Sequence, residues 1–332
     1  VSRVLKLFFP LTPYNVKAVE IQIDGSAVEG INSIDAVALS GSNNPVQMAI
    51  PVIENINPDM ETTRLGENVN SRYDEVGPVL SPDGRTLFFS RFNHPENIGG
   101  TEDDEDIWYS ELDPVTGEWS PAQNIGSPLN NEEANYVNSA SANGDYIDLL
   151  LGNEYQKKGK VRPGLSLSNN EDGKWSFPVP FPVDQFYNLA TNSEFMLSVD
   201  QQILLMSIEQ EDSRGLVDIY VSLKDSTGTW SAPVNLGPTI NTAHEELSPM
   251  LLSDNRTLYF ASAGFGGYGA TDILVSERLD DSWQNWTKPK NMGPAVNTSG
   301  DEVHMSLHLE SEMGFFAREV NGNTDIFPVS YT

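Results

Sequence analysis

The chain contains no cysteine, which excludes disulfides, thiolate metal sites and a cysteine nucleophile. It has no apolar run near the ~18 residues that a membrane-spanning helix needs. Basic residues are scarce: Lys+Arg number 19 against 48 Asp+Glu, a formal net charge of −29. Such a field repels phosphate backbones and anionic lipid, so nucleic acid is not an expected partner. It suits solubility, cation binding or a basic partner. No signal peptide is visible. The first residue is Val1 rather than Met, and the chain is read as a trimmed piece of something longer.

What is present is a repeat. Trp119-Ser-Pro-Ala-Gln-Asn-Ile-Gly126 returns as Trp175-Ser-Phe-Pro178, Trp230-Ser-Ala-Pro-Val-Asn-Leu-Gly237 and Trp286-Thr-Lys-Pro-Lys-Asn-Met-Gly293. The tryptophans stand 56, 55 and 56 residues apart. An Asp-Ile pair recurs at Asp106, Asp218, Asp272 and Asp325. A third mark, Glu75-x-x-Pro78 followed by Asp83-Gly84-Arg-Thr-Leu87, returns from Glu246 to Leu258. Each unit reads as four short strands, the first two joined by an Asp-Gly or Asn-Gly type turn that tolerates positive φ. Four strands per unit is the mark of a propeller blade.

The expected fold is therefore all-β: a five-bladed β-propeller of four-stranded blades, with inner strands beginning near Glu75, Asn135, Glu194, Glu246 and Glu302. Residues 46–332 form the ring. The last repeat stops short of a fourth strand, so residues about 50–69 are predicted to supply the outer strand of the last blade and remove an open edge. Residues 1–45 lie outside the repeat and read as two strands, a short β segment preceding the propeller.

The segments Ser81-Pro-Asp-Gly-Arg-Thr-Leu-Phe-Phe-Ser90 and Gly269-Ala-Thr-Asp-Ile-Leu-Val-Ser-Glu277, with the Trp-Ser-x-Pro-x-Asn-Leu-Gly pattern, resemble the WD40-like repeat of TolB-type and OmpA-associated, peptidoglycan-associated envelope proteins. Residues 19–39 look like the last strands of a discoidin-like jelly roll. The first resemblance implies a non-enzymatic protein-binding scaffold of the Gram-negative envelope, located in the periplasm, at the outer membrane or on the cell surface. Its implied partners are envelope or surface proteins with basic character, bound through the loop face. The alternative is a glycan-binding or glycan-cleaving propeller, with a glycan as partner. An enzyme should show an asymmetric pair of carboxylates in the central funnel, one held protonated by its surroundings.

Candidate residues follow from these patterns. Repetition marks architecture, so Asp106, Asp218, Asp272 and Asp325 are expected to hold turns through backbone amides. Trp119, Trp175, Trp230 and Trp286 are expected to fill space between blades. No catalytic residue is assigned. The loop face offers Asp103, Asp104, Glu105, His244, Glu245, Phe265, Tyr268 and Asp301 as partner-binding candidates, aromatics among polar loops being typical binding anchors. No metal or other cofactor is assigned, with calcium kept as the one open alternative. The run Glu102–Asp106 has oxygens suited to calcium, but it lacks the Asp-x-Asp-x-Asp-Gly spacing and reads as a solvated loop. Ser168–Trp175 faintly resembles a sialidase Asp-box, with the wrong spacing and no evident three-arginine cluster. His304 and His308 sit four apart on a predicted strand, too far apart for one ion.

Overall fold

The computed structural model describes residues 50–53, 63–144, 146–308 and 311–330. The first 45 residues, and with them the discoidin-like segment, lie outside the described residues.

Blade 1 is β1 (Glu75–Leu80), β2 (Thr86–Phe92), β3 (Glu105–Glu111) and β4 (Gln123–Asn124). Blade 2 is β5 (Val137–Asn143), β6 (Tyr146–Gln156), β7 (Lys160–Glu171) and β8 (Lys174–Trp175), with β9 (Val179–Pro180) also on β7. Blade 3 is β10 (Glu194–Leu197), β11 (Ile203–Ile208), β12 (Asp218–Leu223) and β13 (Val234–Asn235). Blade 4 is β14 (Glu246–Leu251), β15 (Thr257–Ser262), β16 (Asp272–Glu277) and β17 (Lys290–Asn291). Blade 5 is β18 (Glu302–His308), β19 (Met313–Val320) and β20 (Asn323–Ser330). Within each blade successive strands pair antiparallel. The chain is thus an all-β five-bladed propeller, as its repeat predicts.

The core explains the ring. Alternation along a strand sends side chains to both faces of each blade, and both faces must be covered. Five apolar clusters result, one per pair of neighbouring blades. Blades 3 and 4 share Leu205, Ile219, Phe260 and Leu274, and blades 1 and 5 share Leu87, Phe89, Phe315 and Ile326. The other three clusters join blades 2 and 3, 1 and 2, and 4 and 5. At roughly 25 cal/mol per Å² of apolar area, these interfaces rather than any single strand hold the fold.

Ring closure runs through residues 64–70. The Leu65 amide donates to Ile326 O at 3.0 Å, and Asn70 and Ile326 exchange two bonds of 2.8 and 2.9 Å. Arg64 stands where β4, β13 and β17 carry Asn124, Asn235 and Asn291, and it bonds Asp325 at 2.9 Å as those asparagines bond Asp106, Asp218 and Asp272. Pro51–Ile53 lie elsewhere: they bond Asn291 of β17, so this part of the 50–69 span adds to blade 4.

Candidate functional site

The inner strands surround an axial cavity of about 790 Å³. Its polar groups come from positions where one blade departs from the others. Glu105 precedes the repeated Asp of β3; the same place holds Val217, Thr271 and Thr324 in blades 3, 4 and 5. Glu194 lies three residues before Leu197 of β10. Counting back likewise from Leu80, Leu251 and Leu307 gives Gly77, Ser248 and His304. Those three have positive φ, at bulges in β1, β14 and β18, whereas β10 pairs without a register shift. A bulge re-aims a side chain, and His304 is thereby turned toward the axis.

Three blades meet at Glu194. Its Oε1 is 3.2 Å from Nε2 of His304, both side chains being 28% exposed, and its Oε2 accepts from the Ser248 amide. Burial pushes the Glu194 carboxyl up, but the His304 charge and hydrogen bond, with the Ser248 donor, outweigh it and hold the carboxyl below the ordinary value. Burial lowers His304, and the Glu194 charge reverses this and leaves it raised. Glu105 is in the opposite state. Burial raises it to about 7, against a hydrogen bond from Ser90 and the charge of His304. Tyr136 completes the wall. Its hydroxyl bonds Ser193 and feels the charges of both glutamates, and burial raises it far above an ordinary phenol. Its ring lies on Gly152, where an added Cβ would come within 2.0 Å of it.

The sequence-predicted residues separate. Of the acidic run, Asp103 is buried in its own loop, Asp104 is exposed at the mouth and Glu105 points into the funnel. They form no common face. His244 and Glu245 line a small cavity of about 270 Å³ between loops of blades 3 and 4. Phe265 folds back onto Phe260, with ring centroids 5.9 Å apart. Tyr268 keeps an exposed ring while its amide donates to Asp272. Asp301 bridges to Thr271 beside β16.

Asp218 and Asp272 accept from loop amides and from Asn235 and Asn291; Asp325 accepts from Arg64 and Asn323. Trp119 meets Phe315 and Trp175 meets Phe88, both across blade interfaces. Trp230 and Trp286 are buried, beside Phe181 and Trp283. His308 contacts Pro82 O at 2.9 Å and takes no part in the Glu194 cluster. Among the described residues, no group of three or more His, Asp or Glu could hold a metal ion.

Sequence reasoning missed Glu194, His304 and Tyr136 as site residues. A signal existed: each breaks the repeat at a position facing the axis. Glu194 was instead grouped with Glu75, Glu246 and Glu302, which accept from Ser71, Thr242 and Thr298 in the preceding turns.

No protein-family model matches the chain, and no curated protein matches it. Solved structures do. An α-L-arabinofuranosidase from Lactobacillus brevis is 12% identical, with 80% of this chain and 92% of that one covered and a TM-score of 0.49. A GH43_12 protein retrieved from a capybara gut metagenome is 14% identical, with 82% and 54% covered and a TM-score of 0.50. The chain spans about half the length of that protein. The arabinanase Arb43A of Bacillus subtilis is 12% identical, with 79% and 95% covered and a TM-score of 0.48.

At these identities the likeness is one of fold. The expectation of a non-enzymatic envelope scaffold of TolB or OmpA-associated type is not borne out: the GH43_12 protein has the same fold, and the funnel holds two carboxylates in unequal surroundings, the mark by which an enzyme was to be told from a scaffold. The fold is that of a five-bladed propeller shared with glycoside hydrolases.

Proposed function

We propose that this chain is a glycan-cleaving propeller whose reaction takes place in the axial funnel. The observation that carries the reading is that Glu105 and Glu194 both line the axial funnel in unequal surroundings: burial raises the first, and the contacts with His304 and the Ser248 amide lower the second. Glycoside hydrolysis needs that pair: a protonated acid for the leaving oxygen and an ionised carboxylate for the anomeric centre. Glu105 keeps its proton near neutrality and gives it to the glycosidic oxygen as the C–O bond breaks. Glu194 stays ionised between His304 and the Ser248 amide. It either takes a proton from the attacking water or bonds to the anomeric carbon before water releases the sugar. The partly exposed apolar wall residues Val76, Met250 and Leu307 suit the nonpolar faces of a sugar ring.

A location in the periplasm, at the outer membrane or on the cell surface is where such a glycan would be met. Purified protein incubated with a panel of oligosaccharides, arabinan and xylan fragments included, should release reducing ends from at least one. Glu105→Gln and Glu194→Gln should each lower the rate about 10²-fold or more. The anomer of the first product, followed by NMR, separates the two roles of Glu194. Binding without release by the wild type, or release unaffected by both substitutions, overturns the assignment.

A further inference from the structure

Three acidic side chains line the axial funnel, Asp104, Glu105 and Glu194, and among the described residues no lysine or arginine does. His304 is already bound to Glu194 at 3.2 Å, and His308 to Pro82 O at 2.9 Å. A sugar bearing carboxylate, sulfate or phosphate would find no free cation there, in a chain of net charge −29. A buried anion without a partner is costly. A sugar bearing an ammonium group has the opposite fault. Its charge beside Glu105 would favour the ionised carboxylate and remove the proton that glycoside cleavage needs. The wall therefore disfavours both signs of charge.

The uncharged polar groups of the wall divide in two. Some fasten one inner strand to the next. Ser139 Oγ accepts from the Leu197 amide at 3.0 Å, and Ser306 Oγ from the Leu80 amide at 3.3 Å. Asn138 does this with only half of its side chain: Oδ1 accepts from the Phe195 amide at 3.1 Å. That donor fixes which end is oxygen, and Nδ2 is left buried without a partner. Asn138 also breaks the repeat. Ala140 pairs with Leu149 as Leu80 pairs with Leu87. Two residues back from Leu80, Leu197, Leu251 and Leu307 stand Pro78, Phe195, Pro249 and Met305; two back from Ala140 stands Asn138. Ser248 is the second such group. Its amide serves Glu194, the residue is 7% exposed, and its Oγ has no partner. Both residues line the funnel. Both also adjoin Glu194, Ser248 through that bond and Asn138 through Phe195, the next residue along the chain.

We propose that the funnel takes an electrically neutral sugar unit, with Asn138 Nδ2 and Ser248 Oγ bonding its hydroxyls beside Glu194, and turns away uronate, sulfated, phosphorylated and amino sugars. This inference rests on the glycan-cleaving reading and names its substrate class. Such a site discriminates by what a wrong ligand leaves unpaired.

Saturation-transfer NMR on the wild-type protein at pH 7 tests it, because one spectrum reads both binding and release. The probes are β-1,4-linked tetramers of glucose, glucuronate and glucosamine, which share one backbone and differ in charge. Xylotetraose and arabinotetraose are further neutral probes. At least one neutral tetramer should bind, about tenfold or more tighter than the glucuronate form. Ser248→Ala and Asn138→Ala should each weaken that neutral binding about fivefold, with folding checked by circular dichroism. Met250→Lys places a cation in the wall and should bring the glucuronate form within reach of the neutral one. Binding and cleavage of the glucuronate or glucosamine tetramer ahead of every neutral one overturns this inference and leaves the glycan-cleaving reading standing. Binding of no tetramer overturns both. Neutral binding unchanged in Ser248→Ala and Asn138→Ala overturns the two contacts.

Discussion

Nε2 of His304 lies 3.2 Å from Oε1 of Glu194, joining blade 5 to blade 3 across the propeller axis. The two residues are 110 positions apart in the chain. Each sets the other's charge: Glu194 raises His304, and His304 lowers Glu194.

That coupling makes His304→Gln informative. A histidine raised in the folded state stabilises fully below its unfolded value of about 6.5, and this contribution fades as pH climbs through the raised folded value. The loss of melting temperature in His304→Gln should therefore be largest near pH 5.5 and shrink toward pH 8.5. The lost charge-assisted bond is worth about 1.5–3 kcal/mol. With His304 gone, Glu194 titrates higher, so the acid limb of the rate profile should move to higher pH. Differential scanning calorimetry and a pH-rate series check the two halves separately.

Glu105→Gln should trade activity for stability. The carboxyl is raised from 4.5 to about 7. Below 4.5 both folded and unfolded states are protonated and no cost arises. Between 4.5 and about 7 the unfolded state ionises first, so the wild type loses stability as pH rises through this window. Glutamine removes that cost. The variant should melt higher than wild type at pH 8 and equal to it near pH 4, while cleavage falls about 10²-fold or more. Equal melting temperatures at pH 8 would contradict the burial of a charge at this position.

Gly152 is held small by Tyr136, whose ring an alanine Cβ would meet at 2.0 Å. The backbone there needs no positive φ, so Gly152→Ala acts by displacing the tyrosine from the funnel. We expect about a tenfold or greater loss of cleavage in Gly152→Ala, because a small misplacement at a reacting centre is costly. In a Tyr136→Ala background the same alanine should change little further. Additive losses in that cycle would show that Gly152 acts independently of Tyr136.

Asp272→Ala is expected to damage the fold rather than the chemistry. It orphans the Tyr268 and Gly269 amides and the Asn291 side chain, at about 1–3 kcal/mol for each donor left buried. Urea melts should show the loss, and the rate per folded molecule should stay within about twofold of wild type.

Ring closure predicts an order among Arg64 variants. Arg64 replaces the asparagine of the other blades and pairs with Asp325, itself 4% exposed while the arginine is 49% exposed. An exposed partner limits the gain to about 1 kcal/mol. Arg64→Ala should lower stability by about that amount, and Arg64→Asn should lie between the two, since asparagine serves this position in blades 1, 3 and 4.

Much of this molecule is legible in its sequence. Trp119, Trp230 and Trp286, with the repeated Asp-Ile pairs, set a period near 55 that only a repeated β unit satisfies. The alternation within Leu87-Phe-Phe89 and Leu258-Tyr-Phe260 requires cover on both faces, and so neighbouring blades. Reading repetition as architecture drew attention to what the blades share. It drew attention away from Tyr136, Glu194 and His304, which matter because the blades do not share them, and it left Glu105 on the loop face rather than in the funnel.

Sequence by itself determined the five blades, their order and the antiparallel pairing, because periodic burial and tight turns are local and repeat with the chain. Tertiary structure alone decided which residues meet. Glu105, Tyr136, Glu194 and His304 come from four different blades and converge because the ring brings every inner strand to one axis. Their protonation states follow from burial and from charges hundreds of ångströms of extended chain away. No local pattern carries that information, since an electrostatic environment is a property of neighbours in space.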